Sequence, residues 1–102
     1  MLNYSSSILA EAAANALWSK VTPNVRSISC EIRDGKIFIQ YVYHKDPTEE
    51  EVELRYLFEG YFLTNLDGGA DYDFEIIILA EPNVFMALPI KIYGRYEGMD
   101  LA

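Results

Sequence analysis

The sequence predicts a two-layer α+β sandwich, in α-β-β-α-β-β order, with a four-stranded and mainly antiparallel sheet. Three observations predict it. Two alternating segments flank Asp34-Gly35, two other stretches repeat their apolar residues at three-to-four spacing, and two more alternating segments close the chain. A chain of 102 residues is expected to form one domain, residues 1–102, and is long enough to bury a core without metal or disulfide support.

Ser5 to Lys20 is alanine-rich and reads as a helix. Ile8, Ala12 and Ala16, with Leu9, Ala13 and Leu17, form one apolar stripe whose small residues suit close packing on a sheet. Thr22-Pro23-Asn24 is expected to end it. Arg26–Arg33 and Lys36–His44 then flank Asp34-Gly35, a pair suited to a type I′ hairpin turn. If Arg33 faces Lys36, Ile32 pairs with Ile37, Cys30 with Ile39, and Ile28 with Tyr41, all six on one face. Ser27, Ser29, Glu31, Phe38, Gln40 and Val42 take the other, which predicts a sheet covered on one side.

Asp46-Pro47-Thr48-Glu49 is a helix start: Asp46 or Thr48 can cap, Pro47 suits the first turn, and glutamates favour the positive end of the helix dipole. The helix is expected to run to Asn65 or Leu66, stop at Asp67-Gly68-Gly69, and bury Leu54, Leu57, Phe58, Tyr61 and Phe62. Gly60 within it is unfavourable by about 1 kcal/mol relative to alanine, which suggests a close contact there. Tyr72, Phe74, Ile76 and Ile78 alternate with Asp73 and Glu75 as a third strand; Ile90, Ile92, Tyr93 and Tyr96 mark a fourth, after a loop bounded by Pro82 and Pro89.

Net charge is −8, which argues against nucleic acid or an anionic membrane as a direct partner. No apolar run is longer than that from Ile76 to Ala80, which is far too short to span a bilayer. A lone cysteine, Cys30, and no export-like leader point to the cytoplasm. The charge is unevenly spread: Asp46–Glu81 holds eleven acids against Arg55 alone. Such a lopsided field steers association with a cationic surface.

Catalytic arrangements are hard to assemble, and no enzyme activity is expected. His44 is the only histidine, so no His-pair or ordinary zinc site is available. Cys30 lies on the apolar hairpin face, where a small core residue is the expected role. No glycine-rich phosphate loop is present, so no cofactor is expected. The paired carboxylates Asp71 and Asp73, or Glu49 and Glu53, sit on faces too exposed to separate their pKa values for acid–base work. The eight tyrosines include Tyr43, Tyr93 and Tyr96 near strand ends, where they can serve as core rim or interface anchors.

Several segments, in order, carry a resemblance. They are Val25-Arg26-Ser27-Ile28-Ser29, then Lys36-Ile37-Phe38-Ile39-Gln40-Tyr41-Val42-Tyr43, and the acidic helix start Asp46-Pro47-Thr48-Glu49-Glu50-Glu51. Pro82, Leu88-Pro89 and Ile92-Tyr93-Gly94-Arg95-Tyr96-Glu97 follow. From Val25 onward the chain resembles bacterial immunity proteins of polymorphic toxins, including the CdiI type of contact-dependent growth inhibition. The resemblance implies tight binding to a co-expressed toxin domain, often a nuclease, in the cytoplasm, covering its active site or substrate groove. A nuclease needs a cationic groove, which an acidic inhibitor can occupy. Contacts differ from pair to pair, so candidate partner-binding residues come from charge: Glu49, Glu50, Glu53, Asp71 and Asp73, with Tyr43 as anchor. The alternative is a non-enzymatic assembly protein forming a homodimer through a sheet edge.

Overall fold

A computed structural model of the chain describes residues 5–66, 71–95 and 97. The architecture is α+β, with two helices and a four-stranded mixed sheet. The elements run α1 (Ser6–Ala16), β1 (Val25–Arg33), β2 (Lys36–Tyr43), α2 (Glu49–Thr64), β3 (Tyr72–Ile78) and β4 (Ile90–Gly94). The expected stop at Asp67-Gly68-Gly69 and the strand residue Tyr96 lie outside the described residues.

The hairpin follows from its turn. Asp34 and Gly35 both take positive φ, 53° and 78°, as a type I′ turn requires. The register is the expected one: Arg33 opposes Lys36, Ile32 Ile37, Cys30 Ile39, and Ile28 Tyr41. Strand order is β3-β2-β1-β4. β4 adds antiparallel to β1, but β3 runs parallel to β2, so the sheet is mixed where a mainly antiparallel one was expected. The cause is α2. It carries the chain back along the sheet between β2 and β3, so β3 re-enters in the direction of β2, as a helical crossover demands.

Both helices lie on one face of this sheet. Ser5 caps α1, its Oγ accepting from the Ile8 N–H at 3.2 Å. Leu9, Ala12, Ala13 and Ala16 are buried, whereas Ile8 is half exposed. The helix ends at Ala16 rather than near Lys20, because the chain turns through Ser19 at φ 59°. α2 starts at a capping box: Thr48 Oγ1 accepts from the Glu51 N–H, and Glu51 accepts from the Thr48 N–H at 2.9 Å. Pro47 therefore precedes the helix instead of sitting in its first turn. Glu51 also accepts from the Thr22 hydroxyl and, at 3.2 Å, from Asn24 Nδ2. One carboxylate thus caps α2 and fastens it to the segment entering β1.

The buried stripe of α2 is rotated from the expected one. Phe58 and Phe62 are buried, but Leu57 and Tyr61 are about half exposed, and Glu51, Arg55 and Glu59 take buried positions instead. Gly60 faces outward, and a Cβ there would meet nothing within 4 Å, so no close contact explains it.

The second sheet face is covered too, contrary to the one-sided expectation. Ser27, Ser29, Gln40 and Val42 are all buried beneath the segment joining β3 to β4. Arg26 donates to the Leu79 carbonyl at 2.8 Å, Gln40 to the Met86 carbonyl at 3.3 Å, and the Leu88 N–H to Ser29 Oγ at 3.0 Å. Polar hairpin residues that alternation assigns to solvent are here the anchors of a third, irregular layer. On the helix side, Cys30 is fully buried; burial and the nearby Glu31 push its thiol up to about 11, which fits an inert core residue.

Two outcomes follow. Burial alone would raise the Glu51 carboxyl, but its hydrogen bonds from Thr22, Thr48 and Asn24 outweigh that and hold it below the ordinary range. A depressed carboxylate stabilises the fold fully above its unfolded value of about 4.3, and that contribution is lost as pH falls through the folded value. Urea midpoints taken from about pH 6 down to pH 3 should therefore fall less steeply for Glu51→Gln than for the unsubstituted chain, with Glu51→Gln the less stable of the two at pH 6. Gly60→Ala should raise stability by about 1 kcal/mol, read as a higher midpoint at unchanged slope.

Candidate functional face on α2 and β3

The candidate site grows from the side of α2 turned away from the sheet. Spacings of three and four place Glu49, Glu53, Tyr56, Leu57 and Gly60 along that side, with Glu50 and Tyr61 on its flank. Tyr56 is 58% exposed and Tyr61 53%. Glu49, Glu50 and Glu53 are exposed, and none joins an ion pair among the described residues. Lys20 lies over the Tyr61 ring at 4.7 Å. The result is a row of carboxylates without ion-pair partners among the described residues, bordered by Tyr56 on the Phe74 side of α2 and by Tyr61 on the Lys20 side.

Arg55 holds this face in place. It is buried and donates to Glu59 at 3.0 Å, one helical turn on. Its guanidinium lies over three rings, Phe74 at 4.3 Å, Tyr56 at 4.7 Å and Tyr41 at 5.7 Å, a spread typical of cation–π contact. Glu59, 1% exposed, also accepts from the Tyr72 hydroxyl at 3.3 Å. Burial would lower the Arg55 pKa, but the Glu59 charge overrides it and raises it. The Tyr41 hydroxyl is buried with no hydrogen-bond partner among the described residues; burial first, then the Glu59 charge, pushes its ionisation far up. The network thus fixes the rings of α2, β2 and β3 around one cation.

The expected site residues do not all come together. Glu49, Glu50 and Glu53 share α2. Asp73 and Glu75 stand in register with Phe38 and Gln40, so they face away from the helix layer. Asp73 lies 3.8 Å from Lys36, and Asp71 just precedes β3, its carbonyl accepting from the Ile37 N–H. The middle-third acidity is therefore split across two faces. It is further reduced because Glu51 and Glu59 serve the fold and Glu81 pairs with Arg95. Tyr43 is corrected as an anchor: it is 2% exposed, its ring stacked on Tyr41 at 6.3 Å, so it cannot reach a partner. The exposed aromatics Tyr56, Tyr61 and Phe74 were missed as surface candidates; the one signal for them was the tilt of the stripe set by Arg55 and Glu59 at i, i+4.

A cleft of about 560 Å³ opens beside the third layer, between Phe85, Ile92 and Tyr93. Its charged walls are tied to one another: Arg26 to Glu97 at 2.7 Å, and Arg95 to Glu81 and, at 3.3 Å, to Glu97. Among the described residues no group of three His, Cys, Asp or Glu side chains is placed to hold a metal ion, and no helix is long and apolar enough to cross a membrane.

Compared with known proteins, the chain matches a family model described as MafI2 immunity protein over residues 6–97. No curated protein matches it.

The ion pair under this face has a measurable signature. Glu59→Ala leaves a buried, unpaired guanidinium and should destabilise by about 3–5 kcal/mol. Replacing both partners, Arg55→Met with Glu59→Leu, should recover most of that loss in the same denaturation measurement, because no lone charge remains.

Proposed function

The chain belongs to the MafI2 immunity protein family, so its role is that of an immunity protein against a bacterial toxin, and from this premise we propose how it acts. It binds a cognate toxin domain with a cationic substrate groove, as a nuclease has, and covers that groove with the outward face of α2. It is an inhibitor without chemistry of its own, acting in the cytoplasm of the cell that makes the toxin, in a system of the contact-dependent growth inhibition kind.

The observation that carries this reading is the row of unpaired acids along the outward side of α2, with an exposed tyrosine at each border. Glu49, Glu50 and Glu53 present a field that nucleic-acid phosphates would otherwise supply to the groove. Tyr56 and Tyr61 give the rigid, amphipathic area on which tight interfaces concentrate their energy. The two kinds of residue divide the work. Rim charges speed the encounter and buried rings slow the escape. Asp73, on the other face of β3, and Asp71, just before that strand, belong to a separate part of the same contact.

Purified chain and the toxin domain encoded beside it test this in a stopped-flow or surface-binding assay. Glu49→Lys with Glu53→Lys should slow association by at least about tenfold at low salt and flatten its salt dependence. Tyr56→Ala should act mainly on dissociation. An association rate for the double variant equal to that of the unsubstituted chain at low salt sinks the steering role of α2.

A further inference from the structure

The sheet ends at β3 on an open edge. The Ile37 N–H bonds the Asp71 carbonyl at 3.0 Å and the Leu79 N–H bonds the Tyr43 carbonyl at 2.9 Å. Between these two points backbone direction alternates. Odd-numbered residues therefore turn their N–H and C=O to β2, while Tyr72, Phe74, Ile76 and Ile78 turn theirs outward. Among the described residues, no backbone group meets that outward side. Tyr72–Ile78 contains no proline and no lysine, and its pairing with β2 runs through all seven residues without a register shift. Proline, lysine and a bulge, which usually blunt an edge, are thus missing from this strand.

We propose that this edge receives a strand of the toxin domain, whose side chains alternate between apolar residues on the helix side and Lys or Arg on the far side. The inference rests on the toxin-binding reading above and names a second element of the same interface. Pleat and charge together select the occupant. Tyr72, Phe74, Ile76 and Ile78 point to the helix layer, where Phe74 is 41% exposed and Ile78 48%, so an added strand extends an apolar row beneath α2 and beside Tyr56. On the other face Glu75 has no ion-pair partner among the described residues, and Asp73 has only an exposed Lys36 at 3.8 Å on its β2 side, so both favour cations on an added strand. A second copy of this chain is the wrong occupant. Antiparallel pairing of two β3 strands about Glu75 sets Glu75 against Glu75, pairing about Phe74 sets Asp73 against Glu75, and like charges opposite one another destabilise a ladder. Strand addition gives affinity through main-chain bonds and specificity through alternate side chains.

Hydrogen exchange of the full chain, free and bound to the toxin domain encoded beside it, reads the proposal directly. The amides of Phe74, Ile76 and Ile78 should exchange at least tenfold more slowly in the complex, and Asp73→Lys with Glu75→Lys should weaken the complex at least tenfold. If the complex forms and the toxin is neutralised while those three amides exchange as in the free chain, strand addition is overturned and the toxin-binding reading stands. If the free chain sediments as a dimer with these amides already protected, self-pairing replaces it. If no complex forms, both readings fall.

Discussion

The position of Arg55 governs most of what this molecule presents to its surroundings. A guanidinium taken out of water carries a desolvation penalty of several kcal/mol, and three things offset it here. Glu59 supplies the opposite charge at 3.0 Å, Phe74, Tyr56 and Tyr41 supply π faces, and the Tyr72 hydroxyl completes the Glu59 carboxylate. Because those groups come from α2, β2 and β3, the cation locks the crossover helix over the parallel strand it precedes. Without it Glu59 would be a buried, unpaired carboxylate, so the rotation of α2 that buries this pair and leaves Leu57 and Tyr61 half exposed depends on the cation as well as on Phe58 and Phe62.

That last point explains what could and could not be read from the chain. The hairpin was legible to the residue because Asp34-Gly35 fixes the turn, and a one-step slip would have carried Cys30, Ile37 and Ile39 to the other face. The start of α2 was legible because Thr48 and Glu51 are three apart. The buried face of α2 was not. Hydrophobic spacing weighs Leu57 and Tyr61 as core, and nothing in that scale lets Arg55 and Glu59 be buried as a pair. The lone arginine among eleven acids was the available sign, since a cation so outnumbered and four residues before a glutamate on a helix is placed to be shared. The polar second face of the hairpin failed differently. Ser29 and Gln40 looked solvated because alternation reports polarity, and polarity is equally suited to anchoring an irregular segment by hydrogen bonds.

The acidic excess also divides by role. Glu51 and Glu59 are spent on capping and ion pairing inside the molecule, Glu81 and Glu97 are held by Arg95 and Arg26, and Glu49, Glu50 and Glu53 are left facing solvent. A field that remains after internal pairing is the one a partner feels, so the functional charge is smaller and more local than composition suggests. Placing it on the first turns of α2 has a structural logic too. There the helix dipole stabilises carboxylates, so Glu49 and Glu50 strengthen the element that bears them while remaining exposed.

The parallel strand completes the argument. Crossing back over the sheet to reach β3 leaves that strand at the border, beside Tyr56 of α2, with no further strand paired to it among the described residues. An open border of this kind invites any extended chain, including another copy of itself. Asp73 and Glu75 resolve the difficulty by charge instead of by shape. They repel an identical strand and an acidic one, and they favour a basic one. Two charges on one face thus make the border selective by sign, where a bulge or a proline would have closed it to every strand alike.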